Sequence, residues 1–284
     1  MSKSTLSIWL AKKFNEPLKE LIWPLDIPLS DASKYFAIYD PRNALVTAWE
    51  DDDLELTGFD LDTMCSRLLV FARQSHHAKW RAAGFNCEGE ITGYWQDGSK
   101  AELWSEMNPD RSDAAWQYIA PAFVSPTSNR SIAEICRVVD TEDATAIQAL
   151  MTTAFPDYKM PDDPAVIKHA LATNAVHGRG IFSTDGSLLA YASAEFQAAG
   201  GSVEITDCAT TPAARGQGLM AQIIEALVAD LSEVFEINHC HAFAREDQPA
   251  MQKIFKKLGW KERGRLVNHF KVDDTWLSAC IWGK

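Results

Sequence analysis

The stretch SVEITDCATTPAARGQGLMAQIIEALVADLSEVF, residues 202–235, decides the fold of this chain. Its first part, Val203 to Thr210, alternates and is rich in β-branched residues, which predicts a strand. Pro212 ends that strand because proline has no N–H to donate to a sheet. From Leu219 onward the apolar residues recur at the spacing of a helix with one buried stripe. The stretch therefore predicts a strand, a short turn and a long amphipathic helix.

The turn between this strand and this helix has the sequence Arg215-Gly216-Gln217-Gly218. Because two of its residues are glycines without a Cβ, the backbone can turn sharply and a ligand can approach its N–H groups. The first turn of the helix adds unpaired N–H donors and a partial positive charge. These features suit a phosphate or pyrophosphate. A glycine-bearing connection that merely starts a helix has the same local pattern, so the rest of the chain must decide.

A second strand and a short helix follow the long helix. Residues 238–245 (NHCHAFAR) predict the strand, and Gln248-Pro249 opens the helix, because proline is accepted in a first helical turn. The apolar residues of this helix share one face, and Gly259 suits its C-terminal end. The order is therefore strand, R-G-x-G turn, long helix, strand and short helix ending in Leu-Gly-Trp.

In this order of elements the chain resembles the GCN5-related N-acetyltransferase (GNAT) family. The matching segments are Glu204–Thr210, Arg215–Met220 and Gln248–Trp260, and the resemblance covers about residues 132–284. It implies an acyltransferase enzyme that uses acetyl-coenzyme A as cosubstrate. It also implies an α/β (α+β) fold, in which a mixed, mostly antiparallel sheet is flanked by helices. Met220 departs from the family's usual small residue, which leaves binding through backbone N–H groups available.

The resemblance also implies where the cosubstrate binds. The pyrophosphate is expected on the amides of Arg215–Ala221, and the pantetheine beside the strand residues Cys208 to Thr210. The implied cofactor-binding residues are Cys208, Ala209, Thr210, Arg215, Gly216, Gln217, Gly218, Leu219, Met220, Ala221 and Gln248.

The reaction that the family implies moves an acetyl group from a thioester to an amine. A primary ammonium has a pKa of roughly 10.4, so near neutral pH it must lose a proton before it attacks. Glu204 matches the position at which some family members carry a glutamate that acts as base, directly or through water. An ordinary strand glutamate bonded to a neighbour is the alternative interpretation.

Two further positions bear on the chemistry. Asp207 is a candidate anchor for the substrate ammonium, although strand alternation turns it away from Glu204 unless a β-bulge brings both to one site. Phe255 stands where many family members carry a tyrosine that protonates the leaving thiolate. Either another group does this, or the thiolate leaves unassisted, since thiols are far more acidic than alcohols. Cys208 as an acetylated nucleophile is an alternative to direct transfer.

A segment of the first half of the chain is similar in sequence to a segment of the second half. Residues 69–85 run from Leu-Val-Phe-Ala-Arg to Gly-Phe, and residues 241–260 run from His-Ala-Phe-Ala-Arg to Gly-Trp. We infer two related halves, with a boundary in the Pro/Ser/Asn-rich residues 121–131. Residues 1–125 are then a smaller, degenerate GNAT-like half without a cofactor turn, and residues 132–284 are the catalytic half. Chance similarity between two βα units is the alternative.

The remaining elements are predicted from local patterns. Two strands flank a turn at residues 40–43, and a further strand is predicted at Ile132–Val139. Thr141 is placed to cap a helix with an apolar face over residues 144–155. Residues 156–162 form a loop at the place where the family commonly borders the acceptor pocket.

The composition predicts a soluble protein without a nucleic-acid or membrane partner. A net charge of −12, with no basic run, argues against binding to a phosphate backbone. Residues 1–30 are too rich in charge for a secretion signal or a membrane span, so we expect a cytoplasmic protein. The six cysteines have no C-x-x-C spacing, which favours reduced thiols. His239 and His241 have no third ligand nearby in sequence, so we expect no metal.

Over nearly its full length the chain resembles the beta-lysine N-acetyltransferases of this family, including Phe71–Arg73, Gly84-Phe85 and Leu266–Asn268. The resemblance, and no feature of composition, implies a small-molecule amine as partner, namely the ε-amine of beta-lysine. Another amine, such as lysine, a polyamine or a protein N-terminus, is a second hypothesis. A catalytically weak acetyl-coenzyme A-binding module is a third. The sequence leaves the oligomeric state open.

Overall fold

A computed structural model describes residues 37–40, 43–49, 61, 65–112, 135–155, 164–196, 201–272 and 274–284. Within these ranges twelve strands form one mixed sheet. The strands are β1 (Ala37–Asp40), β2 (Leu45–Trp49), β3 (Arg67–Arg73), β4 (Asn86–Ile91), β5 (Ala101–Met107), β6 (Ile135–Val138), β7 (Val176–Phe182), β8 (Leu188–Phe196), β9 (Val203–Thr210), β10 (Cys240–Arg245), β11 (Lys261–Val272) and β12 (Thr275–Gly283). The helices are α1 (His77–Ala82), α2 (Pro109–Ser112), α3 (Ala144–Ala154), α4 (Ala165–Ala172), α5 (Leu219–Glu233) and α6 (Pro249–Lys257).

The elements predicted around the organising stretch are present. β9 covers the predicted strand residue for residue, α5 begins at the predicted Leu219, and β10 and α6 follow in the predicted order. One predicted detail is wrong. The side chain of Asp140, rather than that of Thr141, accepts the backbone N–H of Glu142 and caps the turn that leads into α3. An aspartate one residue earlier satisfies the same unpaired donors.

The second half of the chain contributes the strand order β6-β7-β8-β9-β10-β12-β11. The neighbours are antiparallel except β9 and β10, which are parallel. These two strands pair only where they begin, at Val203 with Cys240 and Glu204 with His241. Beyond this point no pairing joins them, so towards Thr210 one edge of β9 has no strand partner in the part of the chain that the structure describes.

The first half repeats part of this arrangement. Its strand order is β1-β2-β3-β5-β4, in which β1–β2 is antiparallel and β2–β3 is parallel, as are β8–β9 and β9–β10. The short helices α1 and α6 each end before a glycine of positive φ, Gly84 and Gly259. This partial repeat is compatible with the internal similarity of the sequence, and the division into two related halves stays a prediction. The predicted boundary at residues 121–131 lies outside the described residues.

The two half-sheets join through β4 and β11, where Gly89 pairs with Gly264. Both glycines have φ in the region that favours glycine, +159° and +155°. A Cβ on Gly264 would stand 2.2 Å from the carbonyl oxygen of Glu88, closer than atoms can approach. The strands therefore meet at a point that requires glycine on both sides.

Two buried arginines of the first half reinforce this junction. Arg111 donates to the carbonyl oxygens of Asn268 and His269 at 2.7–2.9 Å, and its guanidinium lies 3.7 Å from the ring centroid of Trp276. Arg67 bonds to the carbonyl oxygen of Val267 and to the carboxylate of Glu88. The accepting carbonyls belong to a register shift in β11 that leaves them without strand partners. Buried charges of this kind need such partners to be tolerated.

Helices cover both faces of the second half-sheet. On one face α5 packs against Ala190, Ala192 and Ala194 of β8, as expected for an amphipathic helix. On the other face α3 and α4 pack against Tyr191 and other residues that alternate with those alanines. The face beneath α3 and α4 is the face that carries the polar residues of β8 and β9.

Candidate active site

A β-bulge interrupts β9 at Asp207. The register with β8 shifts between the pair Tyr191–Ala209 and the pair Ser193–Thr206, and Asp207 has a φ of +53°. Positive φ in a residue other than glycine is uncommon and often marks a functional position. The bulge overrides the strand alternation that was expected to turn Asp207 away from Glu204.

Three carboxylates gather at the bulge. Glu195 of β8 and Glu204 of β9 are cross-strand partners, so their side chains leave the same face of the sheet. Asp207 reaches the same side and accepts a hydrogen bond from Ser193 Oγ at 3.1 Å. Burial raises the pKa of Asp207 to about 6, although the Ser193 bond opposes this change. Burial, followed by the charges of Asp207 and Glu204, raises the pKa of Glu195 well above its usual range.

A row of side chains extends this cluster across the sheet. His241 of β10 pairs with Glu204 and is fully buried, and its Nδ1 lies 2.8 Å from Ser202 Oγ. Its Nε2 has no hydrogen-bond partner among the described residues. Burial lowers the pKa of His241 to about 3, so its imidazole is neutral at physiological pH. Tyr94 of the first half lies next in this row, with its ring centroid 5.8 Å from that of His241.

The R-G-x-G turn presents a set of free amides. Gly216 and Gly218 have φ values of +78° and +84°, and Gly218 is the N-cap of α5 without any capping side chain. Among the described residues, none accepts a hydrogen bond from the backbone N–H groups of residues 216–221. Among the described residues, no atom lies within 4 Å of a Cβ built on Gly218, so the space beside this glycine is open. The amides and the open space fit a phosphate group.

The other implied cofactor-binding residues surround this turn. Arg215 is exposed and donates from Nε to the carbonyl oxygen of Thr210 at 3.3 Å. The side chains of Leu219, Met220 and Ala221 are buried in the core, so only their backbone faces the turn. The departure at Met220 therefore leaves its N–H available.

Residues 208–210 and Gln248 lie on either side of the gap between β9 and β10. Cys208 and Thr210 are half-buried on the edge of β9 that has lost its strand partner, and Ala209 between them is buried. Gln248 is exposed and is the residue that precedes α6. Burial raises the pKa of the Cys208 thiol well above its usual range, which opposes a role as an acetylated nucleophile.

Phe255 is a core residue in this structure. Its side chain is 1% exposed and stacks on Trp282 at 5.8 Å between ring centroids, with Trp260 at 4.8 Å. It therefore packs the interface between α6 and the sheet. Residues 156–162, predicted to border the acceptor pocket, lie outside the described residues.

Sequence reasoning missed Glu195 and Tyr94. Glu195 is the single acidic residue of β8 and has no local motif, and only its register with Glu204 places it in the cluster. Tyr94 comes from the distant first half, and no local pattern connects it with β9. In the described ranges no three His, Cys, Asp or Glu side chains are arranged to hold a metal ion. No helix in those ranges has the length and apolar character to cross a membrane.

Comparisons with known proteins agree with this architecture. Residues 144–260 match the model of the acetyltransferase (GNAT) family. The N-acetyltransferase YodP of Bacillus subtilis (strain 168) is 27% identical over 227 residues, which cover 77% of this chain and 82% of that protein. The beta-lysine N(6)-acetyltransferase of Methanosarcina mazei is 32% identical over 142 residues, 49% of this chain and 51% of that protein. The match thus spans about half the length of the second relative.

Among solved structures, an N-acetyltransferase from Staphylococcus aureus Mu50 aligns with a TM-score of 0.49 at 20% identity, over 53% of this chain and 97% of that chain. The family model covers the segment from α3 to the end of α6, which includes the bulge and the free amides. Residues 144–260 form a GNAT acetyltransferase domain, and this domain together with the two relatives identifies an acyltransferase enzyme. Members of this family use acetyl-coenzyme A.

Proposed function

We propose that this chain transfers the acetyl group of acetyl-coenzyme A to an amine of a small cationic molecule, with the ε-amine of beta-lysine as the first candidate. The observation that carries the proposal is that β9 and the turn after it join two features. The free amides at residues 216–221 suit a diphosphate. The carboxylates of Glu195, Glu204 and Asp207 suit an ammonium group.

The cosubstrate is proposed to lie along the free edge of β9. The N–H groups of residues 216–221 hold its pyrophosphate, with the Arg215 cation beside them. Residues 208–210 and Gln248 flank its pantetheine in the gap where β10 leaves β9. When bound, acetyl-coenzyme A supplies the thioester whose acetyl group is transferred.

Glu204 is proposed as the base and Asp207 as the anchor of the ammonium. An ammonium near neutral pH must give up a proton before its nitrogen attacks the thioester carbonyl, and Glu204 accepts that proton directly or through water. With a pKa of about 6, Asp207 is ionised at pH 7.5 and can hold a cation. Its charge is lost as the pH falls through that value, which weakens binding of the cation.

The raised pKa values favour a substrate with more than one positive charge. Burial raises the pKa of Glu195 and of Asp207, and the charges of Asp207 and Glu204 add to the change at Glu195. Bound cations would favour the ionised forms of these carboxylates. A diamine balances more of this charge than a protein N-terminus does. Beta-lysine has two amino groups, and the partial match to a beta-lysine N(6)-acetyltransferase supports it as the acceptor.

The test is turnover of an amine panel with acetyl-coenzyme A. The panel contains beta-lysine, lysine, putrescine, spermidine and a peptide with a free N-terminus, and the readouts are thiol release and the mass of the acetylated product. We expect kcat/KM for beta-lysine to exceed that for lysine by about tenfold or more. If another amine is preferred, the assignment of beta-lysine as acceptor is wrong, and the proposed acetyl transfer stands. Coenzyme binding without thiol release for any amine would contradict the proposal and support a binding module.

Glu204→Gln tests the base within the same assay. We expect kcat to fall about 100-fold or more with a small change in KM, because the carboxylate acts on the proton that moves. The matched control is Glu225→Gln, which alters an exposed glutamate of α5. A pH profile of kcat that is the same in Glu204→Gln and in the control would remove Glu204 from the mechanism.

A further inference from the structure

Tyr94 lies in a turn of the first half that is held against the start of β9. The turn connects β4 with β5, and the carbonyl oxygen of Tyr94 accepts the backbone N–H of Gly201 at 3.1 Å. A Cβ on Gly201 would stand 2.2 Å from the carbonyl oxygen of Trp95. This close backbone contact fixes the turn relative to Glu204, which is three residues beyond Gly201.

The Tyr94 ring is packed on all sides and has no exposed surface. It stacks on Phe71 of the first half at 5.1 Å and meets His241 of the second half edge to face at 5.8 Å. His241 is the cross-strand partner of Glu204. The phenol therefore occupies a fixed position beside the row that carries the carboxylates.

The hydrogen bond from Trp49 decides the role of the Tyr94 hydroxyl. Trp49 Nε1 lies 2.5 Å from the phenol oxygen, and an indole N–H is a donor only. The phenol oxygen is therefore the acceptor in this bond, and its own proton is directed to another acceptor. The Tyr94 ring contacts His241, and His241 pairs with Glu204, so the phenol and the carboxylate belong to one row. Burial raises the pKa of Tyr94 well above its usual range, the Trp49 hydrogen bond opposes this change, and the charge of Glu204 adds to it.

We propose that the Tyr94 hydroxyl donates a hydrogen bond to the Glu204 carboxylate and so positions this carboxylate for the acceptor amine. The hydrogen bond from Trp49 fixes the phenol oxygen. Trp49 and Tyr94 both belong to the first half of the chain, so this half supplies a positioning residue to the active site of the second. A donor that is itself hydrogen-bonded is polarised and binds a carboxylate more strongly. The inference rests on the proposed role of Glu204 as base.

Among the described residues, the groups on the strands beside Glu204 include the carboxylates of Glu195 and Asp207 and the neutral imidazole of His241. The two carboxylates repel the charge of Glu204, and the imidazole adds none. In the proposed arrangement the Tyr94 hydroxyl stabilises the ionised form of Glu204 from the side of the first half. Its removal should make Glu204 harder to ionise.

Tyr94→Phe tests the inference because it deletes only the hydroxyl. We expect the acidic limb of the kcat profile to move to higher pH by about one pH unit, since a hydrogen bond to a charged group has about this effect. At pH values below that limb, we expect kcat of Tyr94→Phe to be about tenfold lower than that of the unaltered chain, with the same KM for acetyl-coenzyme A. Trp49→Phe should move the limb in the same direction by a smaller amount.

Phe71→Leu is the matched control, because it alters the packing of the Tyr94 ring and keeps both donors. We expect it to lower the unfolding midpoint without moving the acidic limb. A limb that moves equally in Tyr94→Phe and Phe71→Leu would assign Tyr94 a packing role only and overturn the inference.

Carboxyl-carbon NMR of Glu204, assigned by its loss in Glu204→Gln, separates this inference from the proposed function. The inference predicts that Glu204 titrates at higher pH in Tyr94→Phe than in the unaltered chain, whether or not a given amine is acetylated. An unchanged Glu204 titration in Tyr94→Phe would overturn the inference and leave the proposed acetyl transfer standing. Failure of every amine in the panel would count against the transfer alone.

Discussion

The five strands of the first half-sheet are ordered like β8 to β12 of the second, and the two half-sheets differ where ligands would bind. In the first half β2 and β3 pair along the whole of β2, from Leu45 to Trp49, and the register of β1 with β2 is unbroken. In the second half β9 and β10 pair only at their first residues, and the register of β8 with β9 shifts at a bulge. The connection between the parallel strands is also shorter in the first half, residues 50–66 against residues 211–239.

The difference teaches that one topology serves two purposes. A fully paired parallel pair has no free backbone edge, so β2 offers nothing to a pantetheine chain. Divergence of β9 from β10 opens such an edge, and the bulge at Asp207 turns a carboxylate into the same place. We propose that the first half has kept the sheet and lost the cofactor site, and that it now supports the second half.

The largest expected effect is at the junction of the halves. Gly264→Ala should reduce the free energy of unfolding by about 4 kcal/mol or more, because its Cβ would overlap the backbone of Glu88 and Gly89. The matched control is Gly84→Ala, which also has positive φ but has no atom within 4 Å of the added Cβ. We expect a loss of about 1–2 kcal/mol there. Equal losses in urea unfolding would contradict the described contact between the half-sheets.

Asp207→Asn should increase the stability of the fold and weaken binding of the amine. The folded pKa of Asp207, about 6, is above its unfolded value, so ionisation of this half-buried group destabilises the fold. The stability that protonated Asp207 contributes to the fold is present below pH 4 and is lost as the pH rises through about 6. Asparagine does not ionise and so avoids this loss. We expect the free energy of unfolding of Asp207→Asn to exceed that of the unaltered chain by about 1–3 kcal/mol at pH 8 and to equal it at pH 3.5.

The same substitution should weaken binding of the amine, because it removes the proposed anchor of the ammonium. Urea unfolding at the two pH values and the KM for the amine are the measurements. No bulge occurs in the register of β1 with β2, so this conflict between stability and function is expected only in the second half. A variant that is less stable at pH 8 would contradict the described burial of Asp207.

The smallest expected effect is that of Phe255→Tyr, which restores the tyrosine common in the family. Because Phe255 is packed against Trp260 and Trp282, the added hydroxyl would be buried without a partner. We expect a loss of about 1–2 kcal/mol in stability and no increase in kcat. A higher kcat would mean that the leaving thiolate lies against this position and that the hydroxyl protonates it.

Local patterns predicted the elements that local physics determines. β9, α5, β10 and α6 have clear periodicity with proline and glycine at their ends, and the structure contains each of them. The repeat of strand, short helix and glycine was also visible, because it lies within short segments of sequence. The family resemblance supplied the chemistry that these patterns alone do not contain.

Long-range pairing determined what the sequence could not predict. Glu195 joins the carboxylates because of its register with Glu204, and one residue of slip would place it on the opposite face. The bulge at Asp207 was foreseen only as an alternative, since alternation alone predicts the opposite side. Tyr94 and the junction of Gly89 with Gly264 depend on how two distant segments meet, and no local periodicity records that.

The central claim is that the free amides at the start of α5 bind the diphosphate of the coenzyme, and calorimetric titration of coenzyme A tests it most directly. Gly218→Glu and its control Gly186→Glu place the same side chain at nearly the same φ, +84° and +86°, with open space around both. The account predicts near-normal affinity in Gly186→Glu and at least about a 100-fold loss in Gly218→Glu, because a carboxylate then faces the phosphates. Equal affinity in the two folded variants would contradict it.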